Sequence, residues 1–134
     1  MDPITALGAI AAASQLAQQC LYLTSLITSI KSSQTYITQI SQHVTHLTYL
    51  SHRVISNPGL QIRIISQLLS ALLAETRSLD ESLRDLVVSR KDGRARRWLK
   101  GVNSVRRREV LEERVHGLER MVSLLGVAIG EVNA

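Results

Sequence analysis

The sequence predicts an all-α fold, an up-down antiparallel bundle of four long helices, from three observations. The 134-residue chain is 45% hydrophobic, yet Phe is absent and one Trp and three Tyr are its only aromatics. Only two Pro and seven Gly interrupt it. Apolar residues recur at steps of three and four through four long segments, the period of a helix with one buried face. A chain this long suits one domain and buries about two-thirds of its unfolded surface, so residues 1–134 are expected to form one unit.

The first helix is expected from about Ile4 to Ile30. Asp2 supplies a capping acceptor, and Pro3 takes a first-turn position where its missing N–H costs nothing. Its apolar seam is Ala13, Leu16 or Ala17, Cys20, Leu23, Ile27 and Ile30; Gln15, Gln18, Gln19, Tyr22, Ser25 and Ser29 occupy the other side. No side chain charged at neutral pH occurs from Pro3 to Ile30. The second helix, about Ser33 to Ser56, places Ile37, Ile40, Val44, Leu47, Leu50 and Val54 on one face. Asn57-Pro58-Gly59 then signals a turn.

The third helix, about Leu60 to Ser89, presents Ile65, Leu68, Leu72, Leu79, Leu83 and Leu86. Ile62, Ile64, Leu69 and Leu73 widen that stripe, which needs neighbours on two sides. Lys91-Asp92-Gly93 ends it. The fourth helix carries a heptad seam of Leu111, Val115, Leu118, Val122, Leu125, Ile129 and Val132, suited to near-parallel packing. Glu112 is placed to pair with Arg108 one turn back. Three short connections imply antiparallel neighbours, with room for a short extra helix in the basic connector before the fourth.

Charge is unevenly distributed within the net of +5: residues 90–108 hold nine basic side chains against Asp92, whereas 1–74 hold Lys31, Arg53 and Arg63 against Asp2. Arg94, Arg96, Arg97, Lys100, Arg106, Arg107 and Arg108 form the candidate patch for an anionic lipid or a partner. The stretch fits two readings, a solvated loop and helix end or an anion-seeking surface drawn to a negative leaflet. Arg106 to Arg108 are expected near a helix start, where the macrodipole disfavours cations by a few tenths of a kcal/mol each. Trp98 suits a headgroup boundary, although a plug at one end of the bundle is the simpler role. Neither stacking aromatics nor a recognition motif accompanies the charge, so no specific nucleic-acid partner is expected.

The chemistry-bearing residues point away from catalysis. Cys20 is the single cysteine, which excludes an internal disulfide and suits a reducing cytosol; on an apolar face it reads as a buried, inert thiol. His43 and His46 stand three apart with His52 further on, but no carboxylate occurs between Asp2 and Glu75, so solvent-facing histidines are expected. Glu75, Asp80, Glu81 and Asp85 interleave with Arg77 and Arg84 as a solvated helix face does. With no Ser-His-Asp set, Gly-rich phosphate loop or paired acids, a non-enzymatic chain without catalytic, cofactor or metal residues is expected. Asp2 stands where a secretory signal would be positive, and no such signal is expected.

The uncharged first helix is long enough to cross a bilayer core, but its three glutamines make it too polar for a constitutive anchor. A soluble resting state is expected, with low cost of transfer to lipid. Ile4, Leu7, Ile10, Leu16, Leu23, Ile27 and Ile30 would be the inserting residues. Gly8 with Ala9, Ala11, Ala12 and Ala13 permits close helix contact.

Two stretches resemble a known family. "MDPITALGAIAAASQLAQ" is similar to the MDPLS-type hydrophobic opening of fungal HeLo-like domains, the N-terminal modules of STAND or NLR-type receptors. "RRWLKGVNSVRRREVLEERVHGLERMVSLLGVAI", residues 96–129, looks like that family's basic Trp-containing connector and final helix. The resemblance implies a bundle related to the four-helix domain of the mixed-lineage kinase-like necroptosis effector, joined to a downstream nucleotide-binding domain. It implies a role in programmed cell death, heterokaryon incompatibility or innate immunity: cytoplasmic at rest, self-associating on activation, then permeabilising the plasma membrane through the N-terminal helix. The interruption by Gln15, Gln18 and Gln19 departs from the family's more continuously apolar first helix, which keeps a purely homotypic interaction module as the alternative.

Overall fold

The computed structural model describes the backbone of residues 3–29, 35–91 and 95–133, and the side chains of 4–29, 37–84 and 109–132. Four α-helices follow in order: α1 (Pro3–Ser29), α2 (Thr35–Ser56), α3 (Arg63–Lys91) and α4 (Ala95–Asn133), with a 3-10 turn at Pro58–Leu60. The all-α bundle matches expectation, and among the described residues there is no strand.

The helix faces follow from spacing. All six α2 positions of the expected seam are buried, as are Leu111, Val115, Leu118, Val122, Leu125 and Ile129 of α4. Together with the α1 and α3 faces they form a single continuous core. Expectation slips at the edges of stripes. Leu69 rather than Leu68 is fully buried on α3, Ile64 is exposed, and Val132 at the end of α4 is exposed. Leu86 and the Glu112–Arg108 pair involve side chains outside the described residues.

α4 is longer than the sequence suggested. It starts at Ala95, so from residue 95 the basic stretch belongs to one continuous helix rather than to a separate short one. Ala95-Arg-Arg-Trp-Leu-Lys contains good helix formers, and only Gly101 and Asn103 weaken the continuation. Arg106, Arg107 and Arg108 therefore sit in the body of a helix, beyond reach of the unfavourable end of the macrodipole.

Helix adjacency holds the main departure from a sequential bundle. α1 packs against α2 and α3, and α4 packs against α3 and α2. α1 and α4 thus occupy one diagonal, α2 and α3 the other. Gly8 of α1 lies beside Ser66 of α3, so these neighbours run parallel. Chain direction alternates, but the α2–α3 connection crosses the end of the bundle instead of joining adjacent helices.

That crossing is built by side chains. Asn57 Oδ1 accepts from the Gly59 N–H at 3.0 Å, and the Leu60 N–H donates to the Asn57 carbonyl at 3.0 Å. Leu60 is fully buried, filling the core from below the turn. Gln61 is also buried; its Nε2 donates to the Val54 carbonyl at 3.2 Å and the Ile55 carbonyl at 3.3 Å. Carbonyls in the last turn of a helix have no intrahelical partner, and this carboxamide supplies one from within the core. Gly59 has no positive φ; a Cβ there would stand 3.2 Å from Asn57 Oδ1 and press on the turn's own acceptor.

Replacing Gln61 by Met keeps the volume but removes the donor. Urea unfolding should show a loss of about 1–3 kcal/mol, the cost of stranding buried carbonyls. Gly59→Ala should cost less, since only the turn must adjust.

Candidate functional site

The seven expected inserting residues do not share a face of α1. Ile4 and Leu7 are exposed at 79% and 67%, whereas Leu16 and Leu23 are fully buried. Ile10 and Ile27 are half-buried, and Ile30 lies outside the described residues. The helix has instead two apolar surfaces. Its inner one is made largely of small side chains, Ala9, Ala12, Ala13 and Ala17, with Leu16, Cys20 and Leu23. Its outer one is apolar at Ile4 and Leu7, polar at Ser14, Gln15 and Gln18, and apolar again at Leu21 and Tyr22. Leu21 and Tyr22 are 66% and 54% exposed; Leu21 was not singled out in the sequence, where no charge marks the outer flank of this helix.

Several polar groups on α1 are satisfied within it. Thr24 Oγ1 donates to the Cys20 carbonyl at 2.8 Å, Thr28 Oγ1 to the Thr24 carbonyl at 2.8 Å, and Ser29 Oγ to the Leu26 carbonyl at 2.7 Å. Gln18 Nε2 donates to Tyr22 Oη at 3.3 Å. Such back-bonding lowers the penalty a hydroxyl meets when water is removed. Even so, among the described residues no helix is long and apolar enough to cross a membrane.

Arg94 lies outside the described residues, and so do the side chains of Arg96, Arg97, Trp98, Lys100, Arg106, Arg107 and Arg108. Their backbone places them in fold terms. Since α3 runs parallel to α1, the end of α3 and the start of α4 lie opposite α1's first turn. About 40 Å of helix, at 1.5 Å per residue, separates that end from Ile4. The exposed apolar pair nearer the basic end is Leu21 and Tyr22.

The remaining expectations concern titratable groups. Cys20 is buried, and burial pushes its thiol up to about 11, opposed in part by a side-chain hydrogen bond with Thr48. His46 and His52 are exposed and His43 half-buried, with no metal-holding group of His, Cys, Asp or Glu among the described residues. The acidic face of α3 is only partly solvated. Arg84 Nε pairs with Asp80 Oδ2 at 3.0 Å, while Asp80 Oδ1 is buried without a hydrogen-bond partner. Glu75 turns toward α4: a Cβ on Gly117 would stand 3.1 Å from its Oε1. There α3 and α4 leave a groove of about 650 Å³, lined by Glu75, Val110, Glu113, Arg114, Gly117, Arg120, Met121 and Leu124. Nothing in the sequence alone marked this groove.

The chain matches no family model, no curated protein and no solved structure.

Stability at high pH tests the Cys20 environment. The folded thiol ionises above the unfolded one, so its contribution is complete below pH ~8.5 and is lost as pH rises toward about 11. Cys20→Ala loses packing at every pH and has no such pH dependence. The stability gap between wild type and variant, measured by urea unfolding, should narrow from pH 8 to 10.5.

Proposed function

We propose that this chain is a non-enzymatic cell-death or defence signalling domain that acts on an anionic membrane through α1. One observation carries the reading: α1 is uncharged on every face, and four of its seven buried residues are alanines, beside Leu16, Cys20 and Leu23. Each buried methylene contributes about 0.8 kcal/mol, so a helix with Ala9, Ala12, Ala13 and Ala17 on its inner face gives up less apolar burial on leaving than one with leucine at those four positions. Its small side chains also allow close approach to α2 and α3, so release needs a driving event. The HeLo-like resemblance supplies that event as clustering by receptor domains.

The membrane-bound form proposed is an interfacial or assembled helix rather than a lone membrane-spanning one. An amphipathic segment buries its apolar face about 5–10 Å into the headgroup boundary. In an assembly of several copies, the glutamine flank of α1 would face water and the alanine flank a neighbouring helix. Arg96, Arg97, Lys100 and Arg106 to Arg108 are assigned the electrostatic docking, worth about 1 kcal/mol per residue near an anionic surface. Docking by that end brings Leu21 and Tyr22 to the leaflet first.

Dye release from phosphatidylserine-containing vesicles tests this, with the protein clustered through a fused oligomerising tag. Leu7→Glu and Leu21→Glu alter exposed positions and should leave the fold intact. Each should reduce release by about tenfold, since a carboxylate at the apolar boundary is costly to bury. Reversing Arg96, Arg97 and Lys100 should abolish the preference for anionic vesicles. Undiminished release by both sets of variants would sink the reading.

A further inference from the structure

We propose that the outward ridge of α2 around Tyr49 docks on an anionic phospholipid leaflet, and holds it more tightly as His46 and His52 gain protons. The inference rests on the membrane reading above and adds to it a contact made by the folded bundle. Tyr49 is 59% exposed. His46 stands three residues before it, His52 three after and Arg53 four after, so all three border it on the helix surface. The Arg53 guanidinium lies over the Tyr49 ring, 5.9 Å from its centroid. Both histidines are exposed, and the other exposed side chains of α2 are hydroxyls and carboxamides.

Charge names the partner. From Pro3 to Ala74 the sequence contains no carboxylate side chain, a span that includes all of α1 and α2. The ridge therefore carries no acid of its own, and its one fixed charge is Arg53. Imidazole is the side chain that becomes charged between about pH 8 and 5, so acidification adds His46 and His52 to Arg53 as cations. Cations near an anionic leaflet are attracted to it, and a Tyr ring suits the headgroup boundary. The side-chain hydrogen bond between Cys20 and Thr48 sets α1 and α2 level at that point. Leu21, the next residue and exposed, thus stands level with the ridge on the neighbouring helix. An aliphatic side chain beside the cations suits the edge of a bilayer and has no counterpart in a nucleic-acid backbone.

The two flanks of the ridge meet different groups. α1, α4 and the 3-10 turn pack against α2. His52 stands one turn from Thr48, on the α1 flank, where α1 offers only the buried Cys20 thiol and the Tyr22 hydroxyl as titratable groups. The turn, Pro58–Leu60, offers none. His46 and the half-buried His43 are on the α4 flank. There α4 carries Glu112, His116 and Glu119 on its edge away from Gly117, with His116 Nδ1 3.9 Å from Glu119 Oε2. Those acids oppose part of the charge gained on that flank, and His43, which is turned toward them, is left out of the docking set.

Cosedimentation of the whole, unclustered chain with phosphatidylserine-containing vesicles, at about pH 7.5 and 5.5, tests the ridge across the imidazole range. Partition should rise about tenfold on acidification, the order expected for two added cations at the leaflet. His46→Gln combined with His52→Gln should remove that rise. His116→Gln should keep it, which separates the ridge from the general loss of negative charge at low pH. Tyr49→Ala should weaken binding at both pH values, and neutral phosphatidylcholine vesicles should show no rise. Circular dichroism at both pH values checks that helix content is kept. A rise that survives the double substitution, that His116→Gln removes equally, or that neutral vesicles share would overturn the proposal. Binding without any rise overturns it and leaves the membrane reading standing. Dye release undiminished by the α1 variants, beside an intact rise, sinks that reading and leaves the ridge.

Discussion

The carboxamide of Gln61, donating to the last carbonyls of α2 from inside the core, governs how this bundle is wired. A helix end pointing into a protein interior needs partners for its orphan carbonyls. Most helices find them in water or in a glycine cap; here the chain turns back under its own terminus and offers an amide. With Leu60 buried beside it, the crossing is pinned at both a polar and an apolar point. The link of residues 57–62 is then fixed across the diagonal, and every helix adjacency follows from it. α3 lands next to α1 rather than α2, and α4 closes the remaining side.

The faces of α2 and α4 could be read from the chain because Ile, Val and Leu recur at helical spacing against Thr, Gln, Glu and Arg. The seam of α1 was legible in the same way, and its Ala13, Leu16, Ala17, Cys20 and Leu23 are all buried. What the spacing did not mark is the outer apolar pair, because with no charges on the wet side Leu21 stands out no more than Leu16. They differ completely in burial. Adjacency was hidden for another reason: short connections fix alternating direction but do not choose between an edge and a diagonal. The start of α4 was obscured by its charge, since Arg-rich sequence after Gly93 resembles a loop although its residues favour helix.

The groove illustrates a third kind of concealment. Gly117 sits within a run of charged and aliphatic residues and carries no signal of its own. Its meaning comes from Glu75, forty-two positions earlier, whose carboxylate occupies the space a side chain would take. Such a contact depends on the relative height of two helices, a property of the packed whole. The expected solvated acidic face of α3 is therefore divided: Glu81 is exposed, Asp80 is tied to Arg84, and Glu75 is turned inward to the joint.

The diagonal placement of α1 and α4 has a mechanical consequence. α2 and α3 barely need each other, because α4 bridges them along the side remote from α1. Were α1 withdrawn, the three helices left behind would still form a connected unit hinged on α4, with one open trough lined by Ile, Val and Leu. That trough is a hydrophobic vacancy shaped for a helix that presents alanines beside Leu16, Cys20 and Leu23, and in a crowded assembly the nearest such helix belongs to the adjacent molecule.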